Sequence, residues 1–208
     1  MRTLIYHITH KDNLPEIISK GGLFAQNQME CESIEYSNIA HSGIQDRRSE
    51  TIVPCGPGGH LHDYVPFYFA PRSPMLYAIK MGNVAGCSAT QADIIYLVSS
   101  AQTIEAAKVG FVFTDGHGIM QLSEFYDDLD YLSEIDWDIM KERYWSDTRE
   151  DPDRKRRRQA EFLVFNKFSW NLVEKIGVIN RTVEREVIHT ISIASHKPAV
   201  SVEADWYY

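Results

Sequence analysis

Runs of apolar residues along the chain predict a series of short β-strands. Residues 2–8 alternate in polarity and are rich in β-branched and aromatic side chains, as in a strand with one buried face. Continuous apolar runs further along predict strands that are buried on both faces. These later predicted strands cover residues 64–70, 93–99, 110–114, 161–166, 174–179 and 200–208.

Helical periodicity is confined to short segments between the predicted strands. Pro15 follows two residues that can cap a helix, and Pro74 follows Ser73, so each proline lies in a first helical turn. Strands outnumber long helices and do not alternate with them in βαβ units. This predicts an α+β fold of mostly antiparallel central sheets with flanking helices. We expect a single domain over residues 1–208. The predicted helices cover residues 13–20, 43–48, 73–80, 101–108 and 181–193, with short helices over 121–145, a loop or charged helix over 146–158, and irregular structure over 26–60.

Composition and charge narrow the class of protein. The net charge of −8 argues against general nucleic-acid binding, but six of the 21 Lys and Arg residues fall within residues 149–158, and such a local patch can bind phosphates. The three cysteines show no CxxC spacing and are expected to be free thiols. With no signal-peptide pattern and no apolar run of about 20 residues, we expect a cytoplasmic protein without membrane contact.

Several common catalytic motifs are absent from the sequence. It lacks GxGxxG, the P-loop, HExxH and GxSxG, which argues against a Rossmann dinucleotide site and simple P-loop phosphoryl transfer. Cys55, His60 and His62 lie close together, but their spacing matches no common zinc site. We therefore expect no metal.

Two aromatic and histidine-bearing stretches carry candidate chemistry. In YHITH, His7 and His10 flank the end of the first strand, where they either pack or contact ribose hydroxyls or a carboxamide. In YVPFYFAPRSPMLY, Tyr68 and Tyr77 bracket a turn that contains Arg72. The aromatic residues are either core, or they hold a planar ring and place Arg72 near a phosphate.

A third stretch, DPDRKRRRQAEFLV, leads from a basic run into an apolar strand that begins at Glu161. A charge run is usually a solvated face. A carboxylate at the start of a strand can also hydrogen-bond a ribose hydroxyl and stabilise an oxocarbenium-like cation. The chemistry is analogous to glycoside cleavage, which also breaks a bond at an anomeric carbon.

Together these segments resemble the ADP-ribosyltransferase superfamily. LIYHIT is similar to the strand whose His binds the nicotinamide half of NAD⁺, FYFAPRSPMLY to the second motif, and EFLV to the strand with the catalytic Glu. A more specific resemblance, over nearly the whole chain, is to the DarT family of bacterial toxins. It rests on YHITHKDNLPEI, QDRRSETIV, DYVPFYFAPRSPMLYAI, FTDGHG, IDWDIMKERYW and RRRQAEFLV.

This resemblance implies an enzyme that transfers ADP-ribose from NAD⁺ to a base of single-stranded DNA. Thymidine within a short sequence motif is the expected target, and modification is expected to block DNA replication. It also implies a toxin-antitoxin system in which a macrodomain antitoxin similar to DarG removes the mark and binds the toxin. We expect the chain to act as a monomer.

The resemblance also implies roles for individual residues. Glu161 is the expected catalytic glutamate, and Arg48 the expected catalytic arginine, with Arg47 as the alternative. His10 is the expected NAD⁺-contacting histidine, with His7 as the alternative. The other expected NAD⁺ contacts are Asn13, Gly22, Tyr68, Arg72, Ser73 and Tyr77.

A DNA-contacting segment is expected at about residues 146–160. Arginines of the basic run would contact phosphates, and aromatic residues just before it would stack on a base. These expected DNA contacts are Tyr144, Trp145, Arg154, Arg156 and Arg157.

Three other functions fit part of the pattern. An ADP-ribosyltransferase acting on RNA or protein would use the same NAD⁺ motifs. A nucleic-acid-binding module without catalysis explains the basic run but leaves YHITH and FYFAPRSPMLY without a role. A 2′-phosphotransferase needs no glutamate at the third motif, so AEFLV argues against it.

Overall fold

The computed structural model describes residues 2–34, 36, 37, 39 and 42–208 of the chain. Within these residues the backbone forms strands that are mostly short, as the sequence pattern predicts. The strands are β1 (Leu4–His10), β2 (Gly22–Phe24), β3 (Tyr64–Tyr68), β4 (Ile94–Ser100), β5 (Phe111–Thr114), β6 (Phe125–Tyr126), β7 (Glu161–Phe165), β8 (Lys167–Ser169), β9 (Lys175–Val178) and β10 (Ala199–Val202).

Eight of these strands form one sheet in the order β10-β9-β4-β1-β3-β7-β5-β6. All neighbouring pairs are antiparallel except β9 and β10, which are parallel. Strands β2 and β8 form a second, two-stranded antiparallel sheet. The α+β fold with mostly antiparallel sheets is confirmed.

Short helices connect and cover the strands. Ser73 precedes the helix Pro74–Lys80 and caps it by accepting the backbone N–H of Leu76, and Pro74 lies in the first turn. No helix among the described residues is long and apolar enough to cross a membrane. The helices are α1 (Leu14–Ser19), α2 (Gln26–Cys31), α3 (Ser42–Glu50), α4 (Pro74–Lys80), α5 (Ala101–Ala106), α6 (Trp137–Lys141), α7 (Arg154–Arg157) and α8 (Arg181–Ile191).

The core lies on both faces of the large sheet. Strand β4 is buried along its whole length. Because alternate side chains of a strand point to opposite faces, Ile95 and Leu97 join one apolar cluster while Tyr96 and Val98 join another. Its continuous apolar sequence therefore reflects burial on two sides.

Four details of the predicted secondary structure are wrong. The segment 26–60, expected to be irregular apart from a helix over 43–48, contains α2 in addition to α3, although residues 35, 38, 40 and 41 lie outside the described ones. The segment 121–145 contains β6 as well as helices, and the strand predicted over 200–208 stops at Val202. Strands β2 and β8 were not predicted, because three residues are too few to show a periodic pattern. They are recognised only from their pairing with each other in the folded protein.

Candidate active site

Three adjacent strands align the polar groups at the centre of the candidate site. Tyr68 on β3 pairs with Tyr6 on β1 and with Glu161 on β7. Glu161 is the first residue of its strand, and its backbone N–H donates to Thr114 Oγ1. Its side chain is nevertheless only 4% exposed. The carboxylate is therefore buried, although a run of charged residues precedes it in the sequence.

Arg48, on α3, supplies the cation that faces Glu161. Its Nη1 donates to Glu161 Oε2 over 2.7 Å, and its side chain is only 8% exposed. Burial opposes ionisation of the carboxyl, but the adjacent Arg48 guanidinium, together with His117 and the Gly118 N–H, outweighs it and holds the pKa of Glu161 below its usual value. Glu161 is therefore an ionised carboxylate near neutral pH.

The other terminal nitrogen of the Arg48 guanidinium indicates where a ligand would bind. Its Nη2 is buried and has no hydrogen-bond partner among the described residues. Leaving a buried donor unpaired costs about 1–3 kcal/mol, and more when the group is charged. An acceptor atom of a bound substrate would remove that penalty.

The loop after β5 contacts the other oxygen of Glu161. The Gly118 N–H donates to Glu161 Oε1 over 3.1 Å, and His117 Nε2 lies 3.9 Å from the same oxygen. Burial lowers the pKa of His117 and outweighs the attraction of the carboxylate. The sequence shows FTDGHG only as a strand followed by a turn, so the role of His117 at this site was missed.

A cavity of about 180 Å³ lies beside Arg48. Its wall is largely apolar with a few polar groups, as in small-molecule sites. Five of the residues predicted to contact substrate line it, whereas His10, Arg72, Ser73, Tyr77 and Glu161 itself are not part of its lining, and Glu161 adjoins it through Arg48. The five are His7, Asn13, Gly22, Arg48 and Tyr68.

The two histidines of YHITH have different environments. The Nδ1–H of His7 donates to Pro66 O over 2.8 Å, and burial lowers its pKa to about 4, so its ring is neutral. The Nδ1 of His10 accepts the backbone N–H of Asp12 and caps the turn that follows β1. His7, the alternative, thus lies at the cavity, and the NAD⁺ contact of either histidine stays a prediction.

Asn13 and Gly22 shape the cavity wall for identifiable reasons. The amide of Asn13 donates to Ser37 O and accepts the Ser37 N–H, so it fixes a distant segment against α1. Gly22 has φ +149°, and a Cβ there would lie 2.1 Å from Phe168 O of β8. Only glycine permits that approach.

The turn between β3 and α4 is fixed from two sides. Arg72 has φ +57°, and its Nε donates to Tyr207 O. Its own carbonyl accepts from the Tyr208 hydroxyl, while Arg158 donates to Pro71 O. Arg72 thus has one guanidinium N–H bound within the protein, and its phosphate contact stays a prediction.

Aromatic residues connect this turn to the predicted DNA-contacting segment. The Trp145 ring lies edge-on to the Tyr77 ring, with centroids 6.0 Å apart, and its Nε1–H donates to the Tyr208 hydroxyl. Tyr144, in contrast, is 79% exposed. Of the two predicted stacking residues, Tyr144 alone has a largely free ring.

Two arginines of the basic run are paired with carboxylates of the protein itself. Arg156 forms ion pairs with Asp115 and Asp153, and Arg157 with Asp136 and Asp151. Arg154 donates to the carbonyl of Tyr144, which lies in the preceding segment. Contacts of these arginines with DNA phosphates stay a prediction.

A buried, ionised glutamate on an antiparallel sheet, beside a cavity of this kind, is the arrangement expected of an ADP-ribosyltransferase. The family model described as ssDNA thymidine ADP-ribosyltransferase, DarT, matches residues 6–208, and the chain belongs to this family. A protein of Thermus sp. (strain 2.9) named DNA ADP-ribosyl transferase is 44% identical over 208 residues, covering 99% of this chain and 96% of the relative.

Solved structures of relatives agree with this assignment. Thermus sp. 2.9 DarT in complex with ADP-ribosylated ssDNA matches with a TM-score of 0.92 and 44% identity over 99% of this chain and 96% of that one. The same relative in complex with NAD⁺ matches with a TM-score of 0.86 and 42% identity over 99% and 98% of the two chains. The chain is thus a DNA ADP-ribosyltransferase by family and fold.

A more distant relative joins two activities in one chain. The Thermosipho africanus protein, named a DNA ADP-ribosyl transferase-DNA ADP-ribosyl glycohydrolase fusion protein, is 25% identical over 162 residues. The match covers 77% of this chain and 38% of that relative.

Proposed function

We propose that this chain transfers ADP-ribose from NAD⁺ to a thymidine base of single-stranded DNA in a sequence-dependent way. The observation that carries the proposal is the buried Arg48–Glu161 pair, which holds an ionised carboxylate beside a cavity and leaves one guanidinium donor unpaired. The solved complexes of the Thermus relative with NAD⁺ and with modified DNA support the choice of both substrates.

In this proposal the cavity beside Arg48 receives the nicotinamide and its ribose. The Glu161 carboxylate is already ionised and held by Arg48 and Gly118, so it does not reorganise as positive charge develops on the ribose. The bond from C1′ to the nicotinamide nitrogen breaks, and its electron pair neutralises the pyridinium ring. Arg48 Nη2 donates to the bound NAD⁺.

Thymine N3 then attacks C1′ and must lose its proton. His117 is the neighbouring group that is neutral near pH 7, because burial lowers its pKa. Its imidazole lies beside Glu161, and we assign it the proton from N3. The products are nicotinamide, N3-ADP-ribosylated thymidine and a protonated His117.

The biological setting follows from the modification. A bulky adduct on the pairing edge of thymine would stop a DNA polymerase, so the chain would act as a toxin in the cytoplasm, where the chromosome lies. The fused glycohydrolase of the Thermosipho relative supports a macrodomain antitoxin as partner. We also propose that the toxin itself is a monomer.

The direct test is incubation with labelled NAD⁺ and separate panels of DNA, RNA and protein. Label on single-stranded DNA that contains thymidine, located at N3 by mass spectrometry of the digest, is the expected result. Label on RNA or protein alone would show that the enzyme acts on another class of substrate. Absence of NAD⁺ turnover with every acceptor would contradict the enzymatic proposal altogether.

The proposed toxin role and monomeric state can be tested separately. Expression in bacteria should stop DNA synthesis, and co-expression of a macrodomain ADP-ribosyl glycohydrolase should restore it. Unchanged DNA synthesis with full labelling activity in vitro would contradict the toxin role alone. Light scattering coupled to gel filtration should give the monomer mass of about 23.9 kDa.

A further inference from the structure

A second space, a groove of about 800 Å³, adjoins the catalytic pair, and none of its lining residues lines the NAD⁺ cavity. Arg47 lines the groove and Arg48 lines the cavity, so two consecutive residues of α3 face the two spaces. Gly118 also lines the groove while its N–H binds Glu161. The Arg48–Glu161 pair therefore adjoins both spaces, the cavity through Arg48 and the groove through Gly118.

This arrangement matches the stereochemistry of the transfer. The acceptor attacks C1′ from the face opposite the departing nicotinamide, so donor and acceptor must approach Glu161 from different sides. If the cavity holds NAD⁺, the separate groove that reaches Glu161 through Gly118 can receive the acceptor strand. The inference thus rests on the function proposed above.

The lining of the groove includes several exposed apolar side chains. Ile52 is 68% exposed, Met120 40% and Leu122 74%, and all three line this one groove. Clustered exposed apolar side chains mark binding surfaces more often than isolated ones do. The flat faces of unpaired bases are the part of single-stranded DNA that such side chains can cover.

The wall that carries these side chains is held in place. Arg47 Nη2 donates to Ile119 O, which ties α3 to the loop after β5. The Ser123 hydroxyl donates to His117 O, and its N–H to Met120 O, which closes the loop on itself. A base would therefore meet a largely preformed surface, which limits the entropy cost of binding.

The charge of the groove distinguishes bases from phosphates. Its lining contains one cation, Arg47, and one anion, Glu50, so the two nearly cancel. A surface without net positive charge has little attraction for the phosphate backbone. An exposed amide, Gln121, lies among the apolar side chains and can hydrogen-bond a base edge.

We propose that this groove binds the base of a nucleotide that flanks the modified thymidine. Ile52, Met120 and Leu122 cover the face of that base, and Gln121 reads its edge. The groove would thereby contribute to the sequence motif that the enzyme selects.

Leu122→Ser is the main test, because a side chain that is 74% exposed contributes little to folding. We expect the KM for a DNA oligomer to rise about tenfold, in line with the loss of the apolar surface that one leucine side chain buries against the base. The kcat at saturating DNA and the KM for NAD⁺ should stay within about twofold of the wild type. A KM for DNA within twofold of the wild type would overturn the proposal.

Ile193→Ser is the matched control, since Ile193 is an equally apolar side chain, 89% exposed, that does not line the groove. It should leave the KM for DNA unchanged. An equal rise in both variants would overturn the proposal by showing a general effect of lost surface hydrophobicity.

Sequence preference gives a second readout. The wild type should favour particular bases at a position adjacent to the target thymidine, and Gln121→Ala should weaken that preference. The dependence of DNA affinity on salt should keep its slope in Leu122→Ser, because no phosphate contact is lost. A shallower slope or an unchanged base preference would contradict the base-binding role. If the wild type modified no DNA at all, the proposed function itself would be wrong.

Discussion

Arg48 Nη1 and Glu161 Oε2 are 2.7 Å apart, although 113 positions separate the two residues in the sequence. Removing one partner of a buried ion pair leaves the other charge without compensation, which typically costs about 3–5 kcal/mol. The pair therefore links the proposed catalytic group to the stability of the fold. It also fixes the carboxylate before substrate binds.

Glu161→Gln should lower the rate of ADP-ribose transfer by at least about 10²–10³-fold, because the amide carries no charge to stabilise the ribosyl cation. It should also lower the free energy of unfolding by a few kcal/mol, measured by urea titration. Glu203→Gln is the control, since Glu203 pairs with Lys175 at a more exposed site. Full transfer by Glu161→Gln would remove Glu161 from the catalytic role.

The pH dependence of transfer should reflect His117. Its pKa lies below the usual 6.5 and that of Glu161 below the usual 4.5, so both groups are deprotonated at pH 7. We expect kcat/KM for DNA to be constant from about pH 6.5 to 8 and to fall as acid protonates His117. His117→Gln should lower the rate and remove this limb of the profile. An unchanged profile in that variant would exclude His117 as the proton acceptor.

His7 should make folding stability depend on pH. Its folded pKa of about 4 lies below the unfolded value of about 6.5, so only the unfolded state takes up the proton between these values. The stabilising contribution is complete above pH 6.5 and is lost as pH falls towards 4, by about 1–3 kcal/mol.

Urea titrations at pH 7 and 4.5 measure this contribution. His7→Gln keeps a donor for Pro66 O but cannot titrate, so its unfolding free energy should change less than that of the wild type. His189→Gln, at an exposed position on α8, should behave as the wild type does. Equal pH sensitivity in His7→Gln and the wild type would show that His7 is not the titrating group.

Gly22→Ala should destabilise the protein by more than about 3 kcal/mol, since the new Cβ would collide with backbone atoms of β8 and φ is +149°. Gly43→Ala is the matched control, because a Cβ at Gly43 in α3 meets nothing within 4 Å. It should leave stability unchanged or raise it by about 0.5–1 kcal/mol. Thermal melts of the two variants make the comparison, and similar melting temperatures would contradict the close-approach explanation.

Tyr208→Phe should impair the turn that carries Arg72. The lost hydroxyl donates to Arg72 O and accepts from Trp145 Nε1, so the change leaves the indole N–H unpaired and costs about 1–3 kcal/mol. If Arg72 contacts NAD⁺, the KM for NAD⁺ should rise while kcat changes little. Tyr131→Phe, at a ring 52% exposed, is the control. Unchanged stability in Tyr208→Phe would show that the turn does not depend on this hydroxyl.

Local sequence patterns predicted most of the large sheet. β4 is apolar along its whole length because both of its faces are buried, and β1 alternates where its side chains face different surroundings. The start of α4 followed from Ser73 and Pro74, since capping depends on neighbours in the chain. The pairing of β2 with β8 joins segments about 150 residues apart, and no local pattern specifies such a contact.

For the candidate site, the sequence by itself determined that a glutamate begins a buried strand and that aromatic and histidine motifs precede it. Only the tertiary structure decided which groups meet that glutamate. It placed Arg48 and not Arg47 against Glu161, His7 and not His10 at the cavity, and His117 beside the carboxylate. It also placed Arg156 and Arg157 of the basic run in ion pairs with aspartates. The physical reason is that burial and charge pairing depend on distances in the folded protein, and the order of residue types along the chain does not specify those distances.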